Sequence, residues 1–215
     1  GDALLRVPGC DEDEERRAAL ERARGFVVDS TSHANMNPKY GGGYDVRGWG
    51  YIYGCDFLLS MRERGFVADG EKQRHDEAIQ FYLDGLEAIE IPEVGGWNYA
   101  RRGPLSARSG TSPFMTPPGV QVLMEAERQG FPVAEGLRDR AMAALELTIG
   151  EEGVVAYSAQ RKTRESPDMI PGAMGRMLAV ETVRSETGVD ADDAIRAALA
   201  AFVNHWDELL KRKQK

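Results

Sequence analysis

Apolar side chains recur at spacings of three and four along much of the chain, the pattern of helices that bury one face. The clearest case is His75–Ile89, where Ile79, Tyr82, Leu83, Leu86 and Ile89 fall on one side. Gly85 within it costs about 1 kcal/mol relative to alanine and would permit a neighbour to approach closely. Asp11–Val28 opens on crowded acids that suit the positive end of a helix dipole, then continues with Ala18, Leu20 and Ala23. Further helices are predicted over Cys55–Gly65, Gly119–Gly130 with Pro118 in the first turn, Leu137–Gly150, Pro171–Gly188 and roughly Ala191–Leu210. The segment GVVAYSAQ reads as a short strand or an extended loop, and the neighbouring organisation favours the loop.

Between the helices lie stretches dense in glycine and aromatics. Gly41–Gly54, GGGYDVRGWGYIYG, is predicted to be a tight turn whose rings pack against helix ends, and GGWNY at Gly95–Tyr99 is a shorter relative. The span from Ala100 to Pro118 is irregular and long enough for a functional loop. Internal similarity is weak but ordered. Ser112–Pro113–x–Met115–x–Pro117 returns 54 residues later as Ser166–Pro167–x–Met169–x–Pro171, with Leu123, Met124 and Glu127 matching Met177, Leu178 and Glu181. RERGF at Arg62–Phe66 likewise resembles ERQGF at Glu127–Phe131. These correspondences suggest helical pairs, each burying its apolar face against the next.

An outer helix, a glycine–aromatic turn and an inner helix, repeated, resemble the prenyltransferase and squalene-cyclase superfamily of α/α toroids. HDEAIQFYLDGLEAI followed by GGWNY is the best instance, GGGYDVRGWGY an expanded one, and AMAALELTI followed by EGVVAY a degenerate third. The resemblance implies an all-α fold, an α/α-toroid-like array of antiparallel helical hairpins around a cavity lined from the inner helices. With about seven predicted helices the array would be reduced or incomplete. On this view residues 1–215 form one domain, with an irregular start over 1–10 and a charged tail over 211–215.

The family's chemistry carries over poorly. Asp190–Ala191–Asp192–Asp193 matches a cyclase DxDD acid motif in letters, but the same residues suit a helix start, with Asp190 as its cap. A transferase zinc would need Asp, Cys and His. Cys55 and Asp56 are adjacent and so point in different directions on a helix, and His33 has no ligand spacing to either. No metal and no cofactor is therefore assigned.

Composition narrows the partners. The chain holds 35 acidic against 27 basic residues, a formal charge of −8, which argues against nucleic-acid binding through phosphate contacts. There is no apolar run of the length a transmembrane helix needs. The two cysteines, Cys10 and Cys55, build no disulfide framework. The first residue is glycine, so a targeting segment could have been trimmed and the compartment stays open.

The candidate site residues cluster in the loops. His33 could serve as a proton-transfer base, with Tyr44 and Asp45 beside it. Tyr40, Trp49, Tyr51, Tyr53, Trp97, Tyr99 and Tyr157 could line an apolar or carbohydrate-binding surface, or simply fill space between helix ends, while Arg47 could orient a polar group beside His33 or pair with a carboxylate. Arg101, Arg102, Arg108 and Arg164 could recognise an anion if their loops share a rim, or else be solvated. The leading expectation is a catalytically divergent domain that binds a small apolar, carbohydrate or anionic ligand or a protein partner, including another copy of itself. The alternative is a cyclase, transferase or polysaccharide-processing enzyme built on an aromatic-lined cavity.

Overall fold

The computed structural model describes residues 2–9, 12–40, 44–98, 101–102, 110–150, 153–157 and 170–212. They are α-helical apart from short pieces: α1 (Asp2–Arg6), α2 (Glu14–Ser30), α3 (Arg47–Glu63), α4 (Lys72–Ala88), α5 (Thr116–Arg128), α6 (Leu137–Glu146), α7 (Ile170–Glu186), α8 (Asp192–Asn204) and α9 (Trp206–Arg212). Strands β1 (Tyr44–Asp45) and β2 (Arg101–Arg102) pair antiparallel, and a bridge joins Val155 of the predicted loop to Ile149, which the predicted Leu137–Gly150 helix included but which lies beyond the end of α6 at Glu146. No helix among the described residues is long and apolar enough to cross a membrane.

The chain groups into two compact units. The first comprises Gly1–Glu90, Tyr99–Ala107 and Val122–Glu135; the second comprises Ile91–Asn98, Arg108–Gln121 and Gly136–Lys215. In the first, α3 and α4 pack as a hairpin, with α2 against both. In the second, α7 and α8 form a hairpin of their own.

Helix α2 starts three residues later than predicted because Asp13 caps it, its carboxylate accepting from the Arg16 amide at 3.0 Å. The larger correction concerns the glycine–aromatic stretch. From Arg47 onward it is not a turn but the first two turns of α3. Its glycines carry a propensity cost, and burial of Tyr51, Ile52, Cys55, Phe57, Leu58, Leu59 and Met61 offsets it. They also admit neighbours. A Cβ on Gly54 would lie 3.2 Å from the ring of Tyr82, and one on Gly85 would lie 3.0 Å from the ring of Tyr51. Each helix of the hairpin therefore lays a tyrosine across a glycine of the other.

The GGWNY turn forms as expected as far as Asn98, Tyr99 being outside the described residues. Gly95 and Gly96 have φ of +87° and +68°, and the Arg140 carbonyl approaches Gly95 so closely that any Cβ would collide. Trp97 is fully buried with its ring over Gly119 of α5, and its amide donates to the Thr116 hydroxyl at 3.0 Å. The Ser112 amide donates to the Trp97 carbonyl at 2.8 Å, so the end of the irregular span is a bracket around this turn.

The RERGF and ERQGF likeness has a local cause. In both, a left-handed glycine ends the helix while the next amide reaches back to the fifth residue before it: Phe66 to the Met61 carbonyl at 3.0 Å, Phe131 to Ala126 at 2.9 Å. Gly188 and Val189 end α7 the same way. Helices α5 and α7 nonetheless begin 54 residues apart, at Thr116 and Ile170, in the register of the internal similarity. The second SPxMxP copy lies almost wholly outside the described residues. The last predicted helix is two, parted at His205. The expected Asp190 cap is absent: the N-cap position is Ala191 with no side-chain bond, and Asp192 and Asp193 sit in the first turn, where their charge suits the dipole.

His75 is buried on α4, with its Nε2–H donating to the Leu58 carbonyl at 2.9 Å. Burial pulls its pKa below the ordinary histidine value of 6.5; nearby Arg24 and Arg62 add to that, while the Leu58 bond and Asp76 oppose it. The folded state therefore takes up its proton at lower pH than the unfolded chain. Stability from this group is complete above that ordinary value and is lost as pH falls through it toward the folded pKa.

Two outcomes are expected. Gly85→Val should cost about 1–3 kcal/mol by forcing the Tyr51 ring away, whereas Gly25→Ala, with open space around it in α2, should gain up to about 1 kcal/mol; urea denaturation reads both. In the same assay the wild type should lose stability as the pH falls from 8 toward 5, by at most about 1.4 kcal/mol per pH unit for this one proton, and His75→Gln should lessen that slope below neutrality.

Candidate functional site

A groove of about 940 Å³ opens in the first unit. Ala23, Phe26, Val27 and Ser30 of α2 form one wall; Gly50, Tyr53, Gly54, Asp56 and Phe57 of α3 form the other. Met36 and Tyr82 contribute further apolar surface, and His33 and Asn35 stand at its edge. Residues 23, 26, 27 and 30 share one α2 face through their three- and four-residue spacing. Gly50 and Gly54 let Met36 and the Tyr82 ring close against α3, each within 3.2 Å of where a Cβ would lie. Phe26 is 74% exposed and Tyr53 57% exposed, so two large rings stand open to solvent here. Tyr53 is held by a near-parallel stack on Trp49, with centroids 5.6 Å apart.

The polar edge is built from the end of α2. The last four carbonyls of a helix need partners. Val27 receives the Tyr82 hydroxyl at 2.6 Å, Val28 the Thr31 hydroxyl at 2.8 Å, Asp29 the Ser32 hydroxyl at 2.8 Å, and Ser30 the His33 amide at 3.0 Å. His33 then caps the short 3-10 turn Ala34–Met36, its Nδ1 accepting from the Asn35 amide at 3.2 Å. Its ring is thereby oriented, and the neutral form carries its proton on Nε2. The Tyr51 hydroxyl donates to the Met36 carbonyl, fixing this turn to α3. Burial, followed by the Cys55 and Tyr51 charges, pushes the Tyr82 phenol up to about 12, so it remains a donor.

The predicted residues separate into several groups. His33 borders the groove, Tyr53 and Asp56 being its ionisable neighbours there. Tyr44 and Asp45 fall in β1, with backbone partners Arg102 and Arg101; the ladder thus joins two sets that the sequence left apart. The side chains of those four residues, and Tyr99, Arg108 and Arg164 entirely, lie outside the described residues. Arg47 is buried: its guanidinium donates to the Asn37 and Tyr40 carbonyls and lies 5.6 Å from the Tyr40 ring, holding the loop before α3. Trp49 supports Tyr53, while Tyr51 and Trp97 have no exposed surface. Tyr157 is exposed and meets Phe114 edge-on, and the Arg176 guanidinium lies 5.8 Å from each ring.

Cys55 and Asp56 diverge as their adjacency required. The thiol is buried near the Ile79 carbonyl and pushed up by that burial, with the Asp56 charge adding to it; Asp56 borders the groove. Among the described residues no three His, Cys, Asp or Glu side chains cluster as a metal site. Sequence reasoning missed Phe26, Met36, Phe57, Tyr82 and Asp56 as lining. The usable signal was the 23, 26, 27, 30 face of α2, which carries Phe26 where a solvent-facing helix would be polar.

Comparison with protein-family models, with curated proteins and with solved structures finds no match. The site is therefore read from its own chemistry.

Tyr82→Phe should lower stability by about 1–3 kcal/mol, because the Val27 carbonyl loses its buried donor. Amide hydrogen exchange should quicken selectively over the last turn of α2 and the following Thr31–Asn35 segment. Uniform loss of protection across the chain instead would mean that the hydroxyl has no special hold on α2.

Proposed function

We propose that the chain is a catalytically divergent binding domain whose groove between α2 and α3 takes a small, mostly apolar ligand with one hydrogen-bonding end. The observation that carries this reading is the combination of an apolar lining with exposed Phe26 and Tyr53 and polar groups where α2 ends, at Ser30, His33 and Asn35. Its volume of about 940 Å³ lies in the usual range of small-molecule clefts. The floor supplies affinity through burial, and the end selects a head group. Within the same proposal, the helical hairpins are members of an α/α-toroid-like array of the prenyltransferase and squalene-cyclase kind. Support comes from the α3–α4 and α7–α8 hairpins, the GGW turn burying Trp97, and the 54-residue offset of α5 and α7. Arg47 and Tyr51 are then positioning residues, and Trp49 and Tyr53 the aromatic wall.

Titration with alkyl chains of equal length bearing alcohol, ammonium or carboxylate ends should show saturable binding by calorimetry. Trp49 emission should change on binding and the change should vanish in Trp49→Phe. Ala23→Phe, which fills the groove, should weaken binding at least about tenfold, equal to 1.4 kcal/mol, without lowering the melting temperature. Equal binding by wild type and Ala23→Phe would reject the groove as the site.

A further inference from the structure

The last two helices leave an apolar stripe uncovered. Leu199, Val203, Trp206 and Leu210 are 46%, 69%, 49% and 45% exposed, at successive spacings of four, three and four. Ile195 and Phe202 extend it on one side. At the break the His205 amide caps α8 by donating to the Ala201 carbonyl at 3.0 Å, and the Phe202 and Trp206 rings meet across it at 5.5 Å. The opposite face, through Ala191 and Ala198, is buried, as expected for the α7–α8 hairpin.

We infer that α8 and α9 form an antiparallel two-fold interface with a second copy of this chain. The argument is charge order. At about 100° per residue, one flank of the stripe carries Asp193, Arg196, Asp207 and Lys211, alternating in sign. Antiparallel pairing about a two-fold axis sets the same flank of each copy against the other. With the axis near Phe202, Asp193 meets the second copy's Lys211, and Arg196 meets its Asp207; each pair occurs twice. Leu199 then falls between Val203 and Trp206 of the second helix, so the apolar residues interdigitate. Parallel pairing would instead set this flank against the opposite one, which carries Ile195 and Phe202, and would leave these four charges without opposite-sign partners.

The present partners of these charges do not prevent the exchange. Arg196 lies 3.7 Å from Asp192 and Lys211 lies 2.7 Å from Glu208, both pairs exposed on one helix and individually weak. An anionic membrane surface suits the stripe less well, because Asp192, Asp193 and Asp207 lie along the edge that would face it. Trp206 near the centre supplies the kind of large aromatic anchor on which interfaces depend.

Sedimentation of the full chain from micromolar to near-millimolar concentration should show a mass rising from 23.7 kDa toward twice that value. Arg196→Asp or Asp207→Arg alone should weaken association about tenfold or more, and the double exchange should recover most of it. Val203→Glu should abolish association while leaving the melting temperature of the dilute protein unchanged. The inference is overturned by a single-chain mass at every concentration or by association indifferent to Val203→Glu. It also fails if the double exchange is no tighter than either single, or if a monomer moves to anionic vesicles with a blue shift of Trp206 emission.

Discussion

Two tyrosines crossing two glycines hold the first unit together. Tyr51 of α3 lies on Gly85 of α4, and Tyr82 of α4 lies on Gly54 of α3. Each ring buries its body in the hairpin and carries its hydroxyl out to a backbone carbonyl beyond it, Met36 for one and Val27 for the other. A methyl group on either glycine would press on an aromatic carbon, so the approach of the helices depends on those two absences. The ring contributes by burial and the hydroxyl by satisfying a carbonyl that would otherwise be orphaned at about 1–3 kcal/mol. Because both functions reside in one side chain, helix spacing and the position of the flanking segments are set together.

The groove follows from this arrangement. Tyr82 ties down the end of α2, and Tyr51 ties down the turn that carries Asn35 and Met36, so both edges are referenced to the same hairpin. Gly50 and Gly54 then let Met36 and Tyr82 line the groove directly against α3. The polar end follows directly on capped structure: Thr31 and Ser32 close α2 beside it, and His33, on the groove, closes one turn and opens the next. A ligand entering here would meet groups already oriented, which reduces the ordering cost of binding.

Local rules were legible in the sequence where one residue type answers one backbone need. Gly65, Gly130, Gly95 and Gly96 are of this kind, since a positive φ leaves little choice. Apolar spacing likewise located α4, α5 and α7 within a few residues. What spacing could not give was the role of glycines in RGWGYIYG. They look like turn formers by composition, but their purpose is set by Tyr82 and Met36, which approach from other segments. The same limit hid the groove: Phe26, Phe57 and Asp56 lie on two separate helices, and only packing makes them neighbours. Asp190 was misassigned as a cap because a start one residue later is equally favourable for the acids that follow.

The second unit repeats the solution with a different ring. Trp97 lies on Gly119 of α5, where a Cβ would come within 2.7 Å of it, and its backbone is gripped by Thr116 and Ser112. The constraint is again a large aromatic seated on a helix at a residue without a side chain, with hydrogen bonds fixing the segment from which the ring projects. A glycine near an aromatic in this chain therefore has two distinct meanings. At Gly95 and Gly96 it bends the backbone, and the positive φ requires it. At Gly54, Gly85 and Gly119 the backbone stays helical, and the glycine makes room for a ring from elsewhere. That distinction accounts for the recurrence of glycine with Tyr and Trp along the chain without requiring each instance to be a copy of one turn. In the α3–α4 hairpin the helices come together where each supplies a ring and its neighbour the gap.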